Sequence, residues 1–270
     1  NNFKVKSDWY ESLSPELQAY YAKAKGKTGE DLLVTLNEII SSNARAFDYK
    51  EAKGFMYATV DNVSSGGKTG LFDAYSDIFV PGSGSNGNSY TESGDPNQDG
   101  FANDFINCEH TWPQSFFNKS LPMVSDLHHL QSTMSVPNNR RGHFPFGMVN
   151  KDVVYTTKGG SKLGATDLTS KKRKACDVQE ILNKLGTQDG HKEASQILDN
   201  EFEAIFEPWD KQKGNTARCM LYFFTRYYPM GDRIHQGEYD EQKFWDSKVS
   251  TFINWSSAFD TPDEQEKRRI

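Results

Sequence analysis

The chain has 270 residues, with 31 Lys and Arg against 37 Asp and Glu and a formal charge of −6. Apolar side chains make up 36% and aromatic ones 13%, enough to fill a substantial core and to exclude general disorder. A mean hydropathy of −0.75, with no apolar run near ~18 residues, excludes a membrane-spanning helix, and the acidic balance excludes a surface basic throughout, so positive charge for a nucleic-acid partner must be local.

The length fits one large domain, spanning 1–270. No basic and apolar leader opens the chain, so any signal peptide is expected to have been removed. Residues 8–25 and 29–46 read as helices, the second from Leu32, Leu33, Leu36, Ile39 and Ile40 at helical spacing. Asp61 to Gly70 is rich in turn residues, and Leu71 to Val80 reads as part strand. Residues 81–104 are almost free of apolar side chains, a long exposed loop of a length that is usually either functional or disordered. A polar hairpin is expected over 151–175. Helices follow at 176–185, 191–206, 215–228 and about 241–256. The expected class is α+β, mostly helical with a small irregular β centre.

The densest chemistry lies at 105–147. Thr111 and Gln114 have capping-box spacing, and Pro113 falls where a first helical turn tolerates it. A helix is therefore expected just after Glu109-His110, which puts that pair at a strand end. Ser125 to Leu130 alternates as a second strand would. The segment 137–147 is too polar for plain core. A strand ending in Glu-His, a second strand and a short Asn/Arg segment suggest a ββα finger around one metal.

CEHTWPQSFF at 108–117, SDLHHL at 125–130 and NNRRGHFPFG at 138–147 occur in that order. With FEPWDKQKGNTARCMLYFFTRY at 206–227 and LFDAYSDIFV at 71–80, they make the chain resemble the bacterial endonuclease I family, secreted or periplasmic ββα-metal (His-Me finger) nucleases. The resemblance implies that Glu109 and Asn138 hold the catalytic ion and that His110 is the general base. It also implies products with 5′-phosphate and 3′-hydroxyl ends. One carboxylate and one amide form a hard, sparse site suited to Mg²⁺, or to Mn²⁺ or Ca²⁺, with positions left for water and phosphate. Because neighbouring strand residues face opposite ways, Glu109 and His110 can share a site only where the strand ends or bulges, or where the phosphate lies between them.

Asn139 is the alternative to Asn138. His129 and Asp126 are expected to brace the site. Arg141 and Arg218 are the phosphate candidates, since guanidinium forks match phosphate oxygens; the plain alternative for each is a structural ion pair. Lys172 and Arg173, in the run 171–174, are candidate backbone contacts. Asp95, Asn97 and Asp99, followed by Gly100, match the opening of a calcium loop, although Ile106 replaces its last ligand and Asn103 or Asp104 would have to complete the shell. Cys108, Cys176 and Cys219 show no CxxC spacing; one disulfide with a free thiol and three buried thiols both remain open.

The function expected is metal-dependent hydrolysis of DNA, and of RNA, with little sequence preference, by a secreted or periplasmic monomer with no membrane or protein partner evident. The alternative is a non-catalytic, calcium-dependent nucleic-acid-binding or adhesion module on the same fold. In relatives, elements like 264–269 are usually followed by more chain, so whether the natural chain ends at Ile270 stays open.

Overall fold

The computed structural model describes residues 8–96, 104–166, 204–231, 234 and 239–269. The first expected helix breaks up. Ser14 caps and Pro15 opens a short α1 (Pro15–Tyr20), one 3₁₀ turn follows at Ala22–Ala24, and Gly26 takes a positive φ that ends it. Helix α2 spans Gly29–Ser41; Asn37 on its inner side donates to the carbonyls of Thr225 and Arg226. Helix α3 (Tyr49–Phe55) starts on the Asp48 carboxylate, which accepts from the amides of Lys50 and Glu51. It runs on into a π turn at Met56–Val60, where Met56, Tyr57 and Val60 are buried.

Three small antiparallel sheets follow among the described residues, and the protein is α+β. Strands β1 (Val63–Ser65), β2 (Lys68–Phe72) and β3 (Phe79–Pro81) pair in that order. The β1–β2 turn is Gly66-Gly67, both at positive φ, as a tight two-residue hairpin turn requires. The second sheet is β4 (Ile106–His110) with β5 (Leu130–Met134), in register from Ile106 opposite Met134 to His110 opposite Leu130. The chain passes straight from β5 into α4 (Ser135–Arg141). The third sheet joins β6 (Lys151–Thr156), β7 (Lys162–Ala165) and β8 (Ile205–Glu207).

Two expectations near the chemistry are corrected. No helix follows Glu109-His110, only a 3₁₀ turn at Gln114–Phe117. The Thr111 hydroxyl donates to the His129 carbonyl instead of capping, and Asn118 and Lys119 turn left-handed directly afterwards. The second strand starts at Leu130, not Ser125, because Asp126 caps a 3₁₀ turn through the amide of His128. Further on, residues 205–207 are strand where the sequence predicts the end of a helix. The helix predicted at 176–185, and nearly all of 191–206, lie outside the described residues.

The C-terminal part is helical: α5 (Asp210–Arg226), α6 (Glu241–Ser247), α7 (Val249–Ala258) and α8 (Glu264–Arg269). Helix α5 crosses the end of α7 so closely that a Cβ on Gly214 would lie 2.1 Å from the Phe259 carbonyl oxygen. The largest core cluster is aromatic. Trp112, fully buried, stacks on Phe223 of α5 at 4.8 Å and meets Phe244 of α6 at 5.0 Å. Burying one such ring contributes about 2–3 kcal/mol and each ring pair about 1 kcal/mol more. Trp112 and Phe117 thereby fix the chain leaving β4, and with it the Glu109-His110 pair. No helix among the described residues is long and apolar enough to cross a membrane.

Candidate active site

Strand β4 pairs only with β5 among the described residues, and its other edge meets α4, whose Asn138 and Arg141 donate to the carbonyls of Cys108 and His110. A cleft of about 340 Å³ lies there, lined by Glu109, His110, Asn138 and Asn139 together with Tyr49 and Lys119. Glu109 and His110 do leave the strand on opposite sides. The Glu109 carboxylate turns toward Tyr75 and Arg141; the His110 ring sits among Tyr49, Phe117 and His129, with centroids 5.5–6.3 Å apart. The cleft at the strand end reaches both.

Glu109 is buried. Its Oε1 accepts from the Tyr75 hydroxyl at 2.6 Å and lies 2.9 Å from Arg141 Nη1. Oε2 takes part in neither contact. Burial raises the pKa of the carboxyl, and Arg141 and the Tyr75 hydroxyl offset that only in part. The pair is ionised, because a neutral Glu109 would leave a buried guanidinium without its counter-charge.

His110 is equally enclosed. Its Nε2 lies 3.0 Å from the Val124 carbonyl oxygen. A carbonyl only accepts, so Nε2 carries the proton and Nδ1 holds the lone pair. Burial first, then His129, lowers the pKa to about 3, so the ring is neutral near pH 7. Asn138 is fixed at the same level: its Nδ2 donates to the Cys108 carbonyl at 3.2 Å, which leaves Oδ1 as its available acceptor. Asn139 is exposed on the cleft wall. Glu109 Oε2 and Asn138 Oδ1 are hard oxygen donors at one cleft, and two such groups suit an ion that keeps most of its shell for water and phosphate. Among the described residues no three His, Cys, Asp or Glu gather as a metal cluster.

Both arginines expected to meet phosphate are instead engaged within the protein. Arg141 is fully buried. Besides Glu109 it bonds the carbonyls of His110 at 2.9 Å and Thr111 at 2.6 Å, and its guanidinium lies over the Phe146 ring. It has no face left for substrate; it braces the 109–111 backbone. Arg218 forks onto the Glu266 carboxylate and bonds the carbonyl of Phe259, tying α5 to α8 rather than reaching the cleft. The sequence pattern shows only that a guanidinium follows Asn138 by three residues; it does not show that an acid is buried beside it.

Asp126 and His129 brace the segment behind His110. Asp126 accepts from the hydroxyls of Tyr222 and Tyr227 at 3.0 and 2.8 Å. Burial works to raise its pKa, but His128 and His129 outweigh that and hold it at about 2. His129 Nε2 lies 2.7 Å from the Met123 carbonyl oxygen, and burial holds its pKa at about 4. Of the calcium-loop candidates, Asp95 is on the described loop, while Asn97 and Asp99 lie outside the described residues, as do Lys172 and Arg173. Asp104 accepts from the Val136 amide at 2.8 Å, so it caps α4. Cys108 and Cys219 are buried free thiols; Cys176 lies outside the described residues.

Sequence reasoning missed three groups. Tyr75 orients Glu109, and the Val124 carbonyl orients His110. Lys119 is an exposed cation on the cleft wall. A lone Tyr in LFDAYSDIFV carries no local signal, and a backbone carbonyl carries none at all.

A two-stranded ribbon running into a helix, with a carboxylate, a neutral imidazole and an amide at one cleft, is the kind of site that hydrolyses phosphodiesters. The sequence profile of the family described as Endonuclease I matches residues 28–179 and 176–270. The chain therefore belongs to the endonuclease I family: it is a nuclease, and its substrate is nucleic acid. A search of curated proteins found no match.

Proposed function

We propose that the protein is a metal-dependent endonuclease that hydrolyses DNA and RNA with little sequence preference. The observation that carries this reading is the His110 Nε2 contact to Val124, which leaves Nδ1 as a lone-pair base at the cleft beside Glu109 and Asn138. Glu109 through Oε2 and Asn138 through Oδ1 would hold a hard divalent ion, Mg²⁺ or alternatively Mn²⁺ or Ca²⁺. When bound, that ion polarises the phosphate and offsets charge on the leaving oxygen.

His110 Nδ1 takes a proton from water as its oxygen attacks phosphorus in line. The bond from phosphorus to the 3′ oxygen breaks, leaving 5′-phosphate and 3′-hydroxyl ends. The attacking oxygen comes from water rather than from a 2′-hydroxyl, so DNA and RNA both fit. Lys119 is the cation at the cleft that can meet the phosphate. Groups that address phosphate read no base edges, which supports low sequence preference. A secreted or periplasmic location, and a calcium ion on Asp95, Asn97 and Asp99, rest on the sequence alone.

Nicking of a supercoiled plasmid with Mg²⁺ and with EDTA tests the reading. Cleavage in Mg²⁺, abolished by EDTA, is expected, with product ends that a kinase labels only after phosphatase treatment. Cleavage indifferent to EDTA, or direct labelling of the ends, contradicts it.

A further inference from the structure

A second, larger groove of about 670 Å³ adjoins the cleft. Phe47 lines the groove and Tyr49, two residues on, lines the cleft; Leu121 lines the groove and Lys119 the cleft. Two residues span at most about 7 Å, so the two cavities are neighbours along both walls. The groove carries exposed rings: Tyr20, edge-on to Tyr21, is 49% exposed and Phe47 is 51% exposed. On its floor His128 stacks on Tyr222, centroids 4.6 Å apart and planes within 25°. Arg45 is exposed, with no acidic partner among the described residues. Arg226 bonds the Ser41 hydroxyl and lies over the Tyr227 ring. Among the described residues the one acid lining the groove is Asp126, which accepts from the hydroxyls of Tyr222 and Tyr227 through one oxygen and faces His128 Nδ1 with the other. In a chain of net charge −6, this groove is locally cationic and aromatic.

Exposed rings beside an exposed guanidinium are the elements that hold single-stranded nucleic acid: bases stack on the rings, and the cations track the backbone. A closed duplex hides its base faces and could use only the charges. We propose that the groove is a subsite for unpaired nucleotides flanking the scissile phosphate, with Phe47 as the stacking platform and Arg45 as the backbone contact, so that single-stranded or locally opened nucleic acid is the favoured substrate. The inference rests on the nuclease reading for its place in a reaction, but its binding content can be measured without cleavage.

The test uses the full chain in EDTA with a fluorescent 12-mer oligothymidine, an abasic 12-mer and a 12-base-pair duplex, read by anisotropy. Phe47→Ala should weaken oligothymidine binding about 5- to 100-fold and leave the abasic strand and the duplex within twofold. Arg45→Ala should weaken all three and flatten the salt dependence of single-strand binding by about 0.7 in log K against log salt. Both residues are exposed, so the variants should melt with the wild type. In Mg²⁺, Phe47→Ala should lower kcat/KM on single strands with kcat unchanged. Oligothymidine binding no tighter than abasic, or Phe47→Ala and Arg45→Ala variants that bind and cleave single strands like the wild type, overturns the proposal. A wild type that binds oligothymidine through Phe47 but never cleaves sinks the nuclease reading and leaves the subsite standing.

Discussion

Glu109 and Arg141 form a buried ion pair 2.9 Å across, and that contact engages only one oxygen of the carboxylate. Tyr75 adds its hydroxyl to the same oxygen. The side chain is thus held from behind with its second oxygen unengaged by either partner. The arginine that a reader of the sequence assigns to substrate is spent inside the protein.

Arg141→Ala should therefore act on stability before it acts on phosphate. It strands a buried carboxylate and frees the carbonyls of His110 and Thr111, at a cost of about 3–5 kcal/mol. Urea denaturation should show a large loss. A variant as stable as the wild type, with KM alone raised, contradicts the structural assignment. Arg141→Lys should recover only part of the loss, because an ammonium cannot reproduce the fork.

Arg218→Ala should leave kcat and KM within about threefold. It frees Glu266 and loosens the C-terminal helix, a partly exposed pair that contributes on the order of 1 kcal/mol. A hundredfold fall in kcat with unchanged stability would return Arg218 to the reaction.

Tyr75→Phe removes the hydroxyl contact that helps orient Glu109 and leaves the ring packed on Phe206. The midpoint of a Mg²⁺ titration of activity should rise by roughly tenfold, as loss of an outer-shell partner of a metal ligand does. Glu109→Ala should shift it much further. Identical midpoints in all three proteins would place the ion elsewhere.

Acid should destabilise the fold through two histidines. His110 and His129 are neutral in the folded protein down to about pH 3 and 4, while the unfolded chain takes up their protons below about 6.5. Their depressed values give stability that is complete above pH 6.5 and falls as pH drops toward those folded values. Each contributes a slope of up to about 1.4 kcal/mol per pH unit in that window. Asp126 acts lower, below about pH 4, because its value is held near 2. Urea melts at pH 7.5, 6 and 5 should show the fall, and His129→Phe should remove about one proton from its slope. A flat profile between pH 7.5 and 5 contradicts the burial.

The residues proposed to carry the chemistry were legible because chemistry fixes residue type. Glu109, His110 and Asn138 stand out as a polar set at strand and helix ends, and α+β followed from the spacing of apolar runs. Boundaries were less legible. Thr111 and Gln114 have the spacing of a capping box, but the Thr111 hydroxyl is taken by a carbonyl eighteen residues away, which no local pattern records. The roles of Arg141 and Arg218 depended on Glu109 and Glu266, whose positions only the tertiary fold supplies. The groove beside the cleft brings together residues from 20, 47, 128 and 222, and in the sequence each is an isolated aromatic or imidazole.

The most direct measurement is the single-turnover rate of plasmid cleavage in saturating Mg²⁺ by His110→Ala against the wild type. Nδ1 of His110 is the base in this account, and its loss should slow cleavage about 10²- to 10⁴-fold while the Mg²⁺ midpoint stays within about threefold. Retention of more than about a tenth of the wild-type rate, in a variant that binds Mg²⁺ as the wild type does, would show that another group takes the proton.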